Sequence, residues 1–117
     1  MRILLAQNSL YYPSHGGGDK SNRLLMEALA ARGHDCRVVA RLGSLDPAEQ
    51  ARLLEQLAER GVKARVEDSG VVVFQHRGVE VHVAASHPNL RAYFASQIAA
   101  HRPDVILTST DDPAQLL

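Results

Sequence analysis

Cysteine is almost absent from this 117-residue chain. Cys36 stands alone, so no internal disulfide is available and a reducing, cytoplasmic setting is expected. No charge of either sign dominates: 13 basic residues meet 13 acidic ones, leaving no overall field to draw the chain to nucleic acid. Peripheral membrane contact stays open, but nothing in the charge pattern points to it. Long apolar runs are missing as well. Residues 3–6 and 71–74 are among the longest, far short of a membrane span. No signal or transit segment stands ahead of the first strand-like run. The six histidines show no i,i+4 spacing and one cysteine makes no zinc set, so no metal is expected. What is present is ordinary for a globular protein: 45% apolar and 22% charged residues, enough for one domain with one core.

The elements follow from periodicity and punctuation. "RILLAQ" (2–7) is a nearly continuous apolar run, as in a strand buried on both faces of a parallel sheet. After a polar loop, Asp19 is placed to cap a helix over 20–32, with Leu24, Leu25, Ala28, Leu29 and Ala31 as its apolar stripe and Gly33 as its stop. "CRVVA" (36–40) is the next strand, which completes a βαβ unit. "DPAEQARLLEQLAERG" carries Asp46 as cap, Pro47 at the first helical position and Gly61 as terminator. It buries Leu53, Leu54 and Leu57. "VVVFQHRGVEVHVA" reads as a hairpin turning at Arg77-Gly78. Val72, Phe74, His76, Val79, Val81 and Val83 then share one face, and Val71, Val73, Gln75, Glu80 and His82 the other. A helix over 89–100 buries Leu90, Tyr93, Phe94 and Ile98, and "DVILTS" (104–109) is expected to be another buried strand. "TDDPAQLL" opens a further helix at Asp112-Pro113 with too few residues to persist, so the chain reads as the front of a longer one.

Gly16, Gly17 and Gly18 stand directly before the first helix. A dinucleotide fingerprint would need Gly or Ala at position 21, where Ser21 stands, and a much shorter loop after the strand. The second strand also ends in Arg41 rather than an acid for a ribose. A phosphate-binding P-loop needs Gly-Lys-Ser in succession, but Asp19 separates Gly18 from Lys20. Two readings of the glycines remain. They either only turn the chain into the helix, or present bare N–H groups to an anion at a positive helix terminus.

The order of these pieces resembles the start of a GT-B glycosyltransferase of the group 1 (family 4) type. The matching residues are "MRILLAQ", a long loop, Gly16-Gly17, Leu25, Leu29, Gly33-His34-Asp35 and Val38-Val39, followed by "RGVEVHVA" and "AAHRPDVILTS". The likeness covers nearly the whole chain. Each motif is degenerate, and the order and spacing carry the weight. The resemblance implies an α/β, Rossmann-like doubly wound, mostly parallel sheet with a β-hairpin extension, forming the N-terminal, acceptor-side half of a GT-B architecture. Residues 1–117 would be that domain, truncated at its C-terminal end, with the nucleotide-sugar domain supplied by the absent remainder. It implies no cofactor. A nucleotide-sugar is the co-substrate, a hydroxyl compound the acceptor, and Gly16, Gly17 and Gly18 face the donor diphosphate. Retention of configuration is suggested by the family alone. Many relatives carry a histidine after the Pro-Asp-Val strand, where this chain reads Ser109-Thr110-Asp111-Asp112. A carboxylate or hydroxyl would then take its place.

Ligands of open α/β sheets bind beyond the carboxyl ends of strands, where strand order reverses. That places Asn8, Ser9, Gly16, Gly17, Gly18, Asp19, Ser109, Thr110 and Asp111 around one crevice. Asp111 either orients or deprotonates an acceptor hydroxyl, or simply precedes the capped helix. Lys20 either reaches a phosphate or is a solvated first-turn lysine. His15, beside the glycines, and His87, at a strand end, are the histidines placed near this crevice; His34 belongs to the turn after Gly33. Against the transferase stand a stand-alone small-ligand or nucleotide-binding module without catalysis, and a dinucleotide-binding domain.

Overall fold

The computed structural model describes residues 1–7, 10–12, 17–42, 47–67, 70–84 and 90–108. In chain order the elements are β1 (Arg2–Ala6), α1 (Gly17–Ala31), β2 (Asp35–Arg41), α2 (Pro47–Glu59), β3 (Ala64–Val66), β4 (Val71–His76), β5 (Val79–Ala84), α3 (Leu90–His101) and β6 (Val105–Thr108). They build one mixed sheet in the order β3-β4-β5-β2-β1-β6. β5, β2, β1 and β6 run parallel, and β4 and β3 add antiparallel strands at one side. The radius of gyration, 13.0 Å, is that of a compact domain of roughly a hundred residues.

Alternation along the strands sorts side chains into two cores. Ile3, Leu5, Val38, Val72, Phe74 and Val81 face one side, where Met26 of α1 and Leu53 and Leu57 of α2 cover them. Leu4, Ala6, Val39, Val71 and Val73 face the other, under Tyr93 and Phe94 of α3. Helices therefore lie on both faces of the sheet. After Arg2, β1 is apolar throughout, and β2 is apolar at Cys36 and over 38–40, because both faces of the sheet are covered there.

Each helix ends by a left-handed residue. At α1, Gly33 (φ 92°) lets its own N–H reach Ala30 O and that of His34 reach Leu29 O, at 3.0 and 3.2 Å. α2 repeats the device at Gly61 (φ 73°), with Val62 N–H donating to Leu57 O at 2.9 Å. α3 does it without glycine: Arg102 takes φ 52° and bonds Ile98 O, and Pro103 blocks further helix. The β4–β5 turn is also as expected, Arg77 and Gly78 both having positive φ, with Phe74 opposite Val81 and Val72 opposite Val83.

Four expectations need correction or completion. β3 was unforeseen: three residues directly after a helix terminator carry too little alternation to register. β6 is not a buried strand but an edge strand with alternate residues exposed, Ile106 at 38%. α1 begins at Gly17, so Asp19 lies within its first turn instead of capping it. Its apolar stripe is misplaced too. Leu24 and Leu25 are about half exposed, and Met26 is the residue it buries. The inward face of α1 carries polar residues that have partners, which apolar periodicity alone does not reveal. Asp46, Asp112 and Pro113 and the side chains of Pro47 and Leu90 lie outside what is described.

Candidate functional site

β1 is flanked by β2 on one side and β6 on the other, and the connecting helices α1 and α3 lie on opposite faces. Strand order therefore reverses at β1, and the crevice beyond its carboxyl end is where open α/β sheets take ligands. Ala6 pairs with Thr108, which brings the ends of β1 and β6 level. Asn8 and Ser9 follow one strand and Ser109, Thr110 and Asp111 the other, but these five, with His15, Gly16 and His87, lie outside the described residues.

Gly17 and Gly18 form the opening of α1, with Asp19 next and an exposed Lys20 completing the first turn. The first four N–H groups of any helix lack an acceptor within it, and the two glycines carry no side chain of their own beside them. The position of this helix start is fixed from below by Gln7, a fully buried residue that sequence reading missed. Its main-chain N–H bonds Val39 O at 3.0 Å, continuing the sheet. Its amide nitrogen donates to Leu10 O at 2.9 Å, while its amide oxygen accepts from Asn22 Nδ2 at 3.1 Å. One buried amide thus ties the end of β1, the loop after it and the second turn of α1. The available signal was a Gln closing an apolar strand, since a buried amide requires partners.

Two further polar clusters flank the sheet. On the α3 side, Arg37 pairs with Glu80 at 2.9 Å and donates to Gln97 at 2.9 Å. His82 Nε2 lies 2.8 Å from Glu80 Oε2, and its Nδ1 lies 2.5 Å from the Tyr93 hydroxyl. A carboxylate only accepts, so Nε2–H donates to Glu80, and a neutral ring then accepts the Tyr93 O–H at Nδ1. Burial pushes the His82 pKa down, partly opposed by Glu80, and pushes the Tyr93 hydroxyl well up. Burial alone would raise Glu80, but the His82 hydrogen bond and the Arg37 charge hold it below its ordinary range. Both rings are buried, and the chain of bonds fastens α3 to β5.

On the other side, Tyr12 stacks on His76 with ring centroids 4.0 Å apart, and the Arg23 guanidinium lies over the Tyr12 ring at 5.7 Å from its centroid. Glu27 gathers Arg23 at 3.0 Å, His76 at 3.6 Å and Arg77 at 3.8 Å. Burial lowers the His76 pKa, with Glu27 opposing. His76 and His82 therefore occupy opposite faces of the hairpin, as expected. His34 stays in the turn after α1, its Nδ1 lying 3.1 Å from the Met1 amine. Among the described residues no group of histidine, cysteine and carboxylate side chains is arranged to hold a metal. None of the described helices is long and apolar enough to cross a membrane.

Comparison with known proteins finds no matching family model, no matching curated protein and no matching solved structure. The functional reading therefore rests on the residues and their placement.

Proposed function

We propose that this chain is the acceptor-side, Rossmann-like domain of a GT-B glycosyltransferase, which moves a sugar from a nucleotide-sugar to an acceptor hydroxyl in partnership with a second domain. The observation that carries this reading is the start of α1. It opens on Gly17-Gly18, beside the strand where sheet order reverses, and is clamped there through Gln7 and Asn22. Bare N–H groups at a rigidly held helix terminus suit a diphosphate that gains charge as the glycosidic bond breaks. Within the proposal, Gly16, Gly17 and Gly18 face the donor diphosphate and Lys20 stands beside it. Asn8, Ser9, His15, Asp19, His87, Ser109 and Thr110 line the acceptor crevice, with Asp111 as the group that orients or deprotonates the acceptor. No cofactor takes part, and the setting is the cytoplasm.

The test uses the protein encoded by the natural reading frame that includes this chain, assayed for nucleoside diphosphate release with a panel of nucleotide-sugars. Release with one donor is the expected result. Gly17→Val places a branched side chain at the helix start while keeping helical backbone geometry, and lowers turnover about a hundredfold with an unchanged circular dichroism spectrum. Undiminished turnover in that variant overturns the diphosphate assignment. Tight nucleotide binding without release under any condition favours a binding module instead.

A further inference from the structure

A second concave feature lies at the opposite end of the strands. β3 and β4 pair only from Ala64–Phe74 to Val66–Val72, and on the other side of Ala64 the chain leading in from α2 separates from β4. The separation leaves a groove of ≈ 500 Å³ lined by Gly61, Lys63, Arg65, Gln75, His76 and Arg77, among other residues. This falls within the range of small-ligand sites. It is remote from the start of α1: His76 pairs with Val79, which pairs with Cys36 near the beginning of β2, whereas α1 opens beyond the carboxyl end of β1.

The charge in this groove is segregated. The chain as a whole is neutral, yet the described lining contains three full cations and no carboxylate. The nearest acids do not cancel them. Glu27 is already held by Arg23 at 3.0 Å and meets Arg77 only at 3.8 Å, with Arg77 70% exposed. Glu67, half-buried, meets an exposed Arg65 at 3.7 Å, a solvent-screened pairing worth little in water. Lys63 is exposed and has no carboxylate partner among the described residues. The backbone also contributes. β4 continues past Phe74 through Gln75 and His76 with β5 on one side and the groove, rather than β3, on the other. At Gly61 an added Cβ would meet nothing within 4 Å, so the wall is open there. Guanidinium and ammonium groups lining one groove beside open main chain suit an anion of phosphate geometry.

We infer that the groove between the α2–β3 connection and the β4–β5 turn is a binding site for a small phosphate-bearing ligand, separate from the crevice at the start of α1. The test is titration of the ¹⁵N-labelled 117-residue chain with inorganic pyrophosphate, and in parallel with malonate, at constant ionic strength. Saturable amide shifts at Gly61–Arg65 and Gln75–Gly78, stronger for pyrophosphate than for malonate, are expected. Lys63→Ala with Arg65→Ala weakens binding at least tenfold, whereas Lys63→Arg retains it; all three changes fall on exposed side chains, so the fold is kept. A bound anion also raises the pH at which the His76 ring protons titrate, adding to the influence of Glu27 and opposing that of burial, Arg77 and Arg23. Shifts that do not saturate, that persist unchanged in the double variant, or that appear only at Gly17–Ser21 overturn the proposal. Equal response to malonate overturns its phosphate selectivity.

Discussion

His82 is a titratable ring buried on the face of the sheet that α3 covers. It is 4% exposed, accepts a hydrogen bond from Tyr93 and donates one to Glu80. Desolvation favours its neutral form, so its pKa in the folded chain lies below that of an exposed histidine, and His76 shares the direction. In the window between the two values the unfolded chain binds more protons than the folded one. Stability contributed by these rings is therefore complete above about pH 6.5 and declines as pH falls through the folded-state value. Glu80, whose carboxyl is held low, adds a further loss of the same sign in the more acidic range. Urea midpoints measured at pH 7.5 and pH 5.5 should show the lower value at pH 5.5. His82→Gln, which cannot titrate, should narrow the gap while lowering stability at both. A larger gap in that variant would remove His82 as the source.

α1 shows that the facing of an element is a tertiary property. By hydropathy the helix turns Leu24 and Leu25 inward. In the fold it turns Asn22, Met26, Leu29 and Ala30 toward the sheet, because Asn22 bonds Gln7, Glu27 binds Arg77 and His76 at the hairpin tip, and Met26 fills the core between them. Met26 is fully buried and Leu25 is 49% exposed. Met26→Ala should thus cost about 2–5 kcal/mol, from lost transfer energy and the cavity left behind. Leu25→Ala should stay within about 0.5 kcal/mol. Chemical denaturation of the two variants separates these outcomes, and the reverse order would show that the helix is turned the other way.

Across the whole molecule, stability should grade from the middle of the sheet outward. β5, β2 and β1 each have neighbours on both edges, and their side chains are covered on both faces. β3 has three residues at one edge and β6 four, half exposed, at the other. Amide exchange followed by mass spectrometry should therefore be slowest in β1, β2 and β5 and fastest in β3 and β6, since edge amides open without disturbing the core. Comparable protection at β3 and β1 would contradict this grading. The two ends of the strands also differ in kind, one carrying the glycine-opened helix and the other the cationic groove, so ligand effects on exchange can be assigned to one end or the other.

Residue pattern alone determined the local features: the βαβ unit, the Arg77-Gly78 turn and its register, the glycine stops of α1 and α2, and the Leu53–Leu57 face of α2. Each of these is set within a few residues, by a left-handed position, a period of two or a period of 3.6. Tertiary structure decided what depends on distant partners. Gln7 matters because Asn22 reaches it, and His82 because Tyr93 of α3 packs over the same face of the sheet and bonds it. Arg77 and Lys63 line one groove because the chain before β3 diverges from β4. Contacts between residues far apart in the chain leave no local periodicity, because the free energy that selects them comes from burial and polar satisfaction available only once the sheet has assembled.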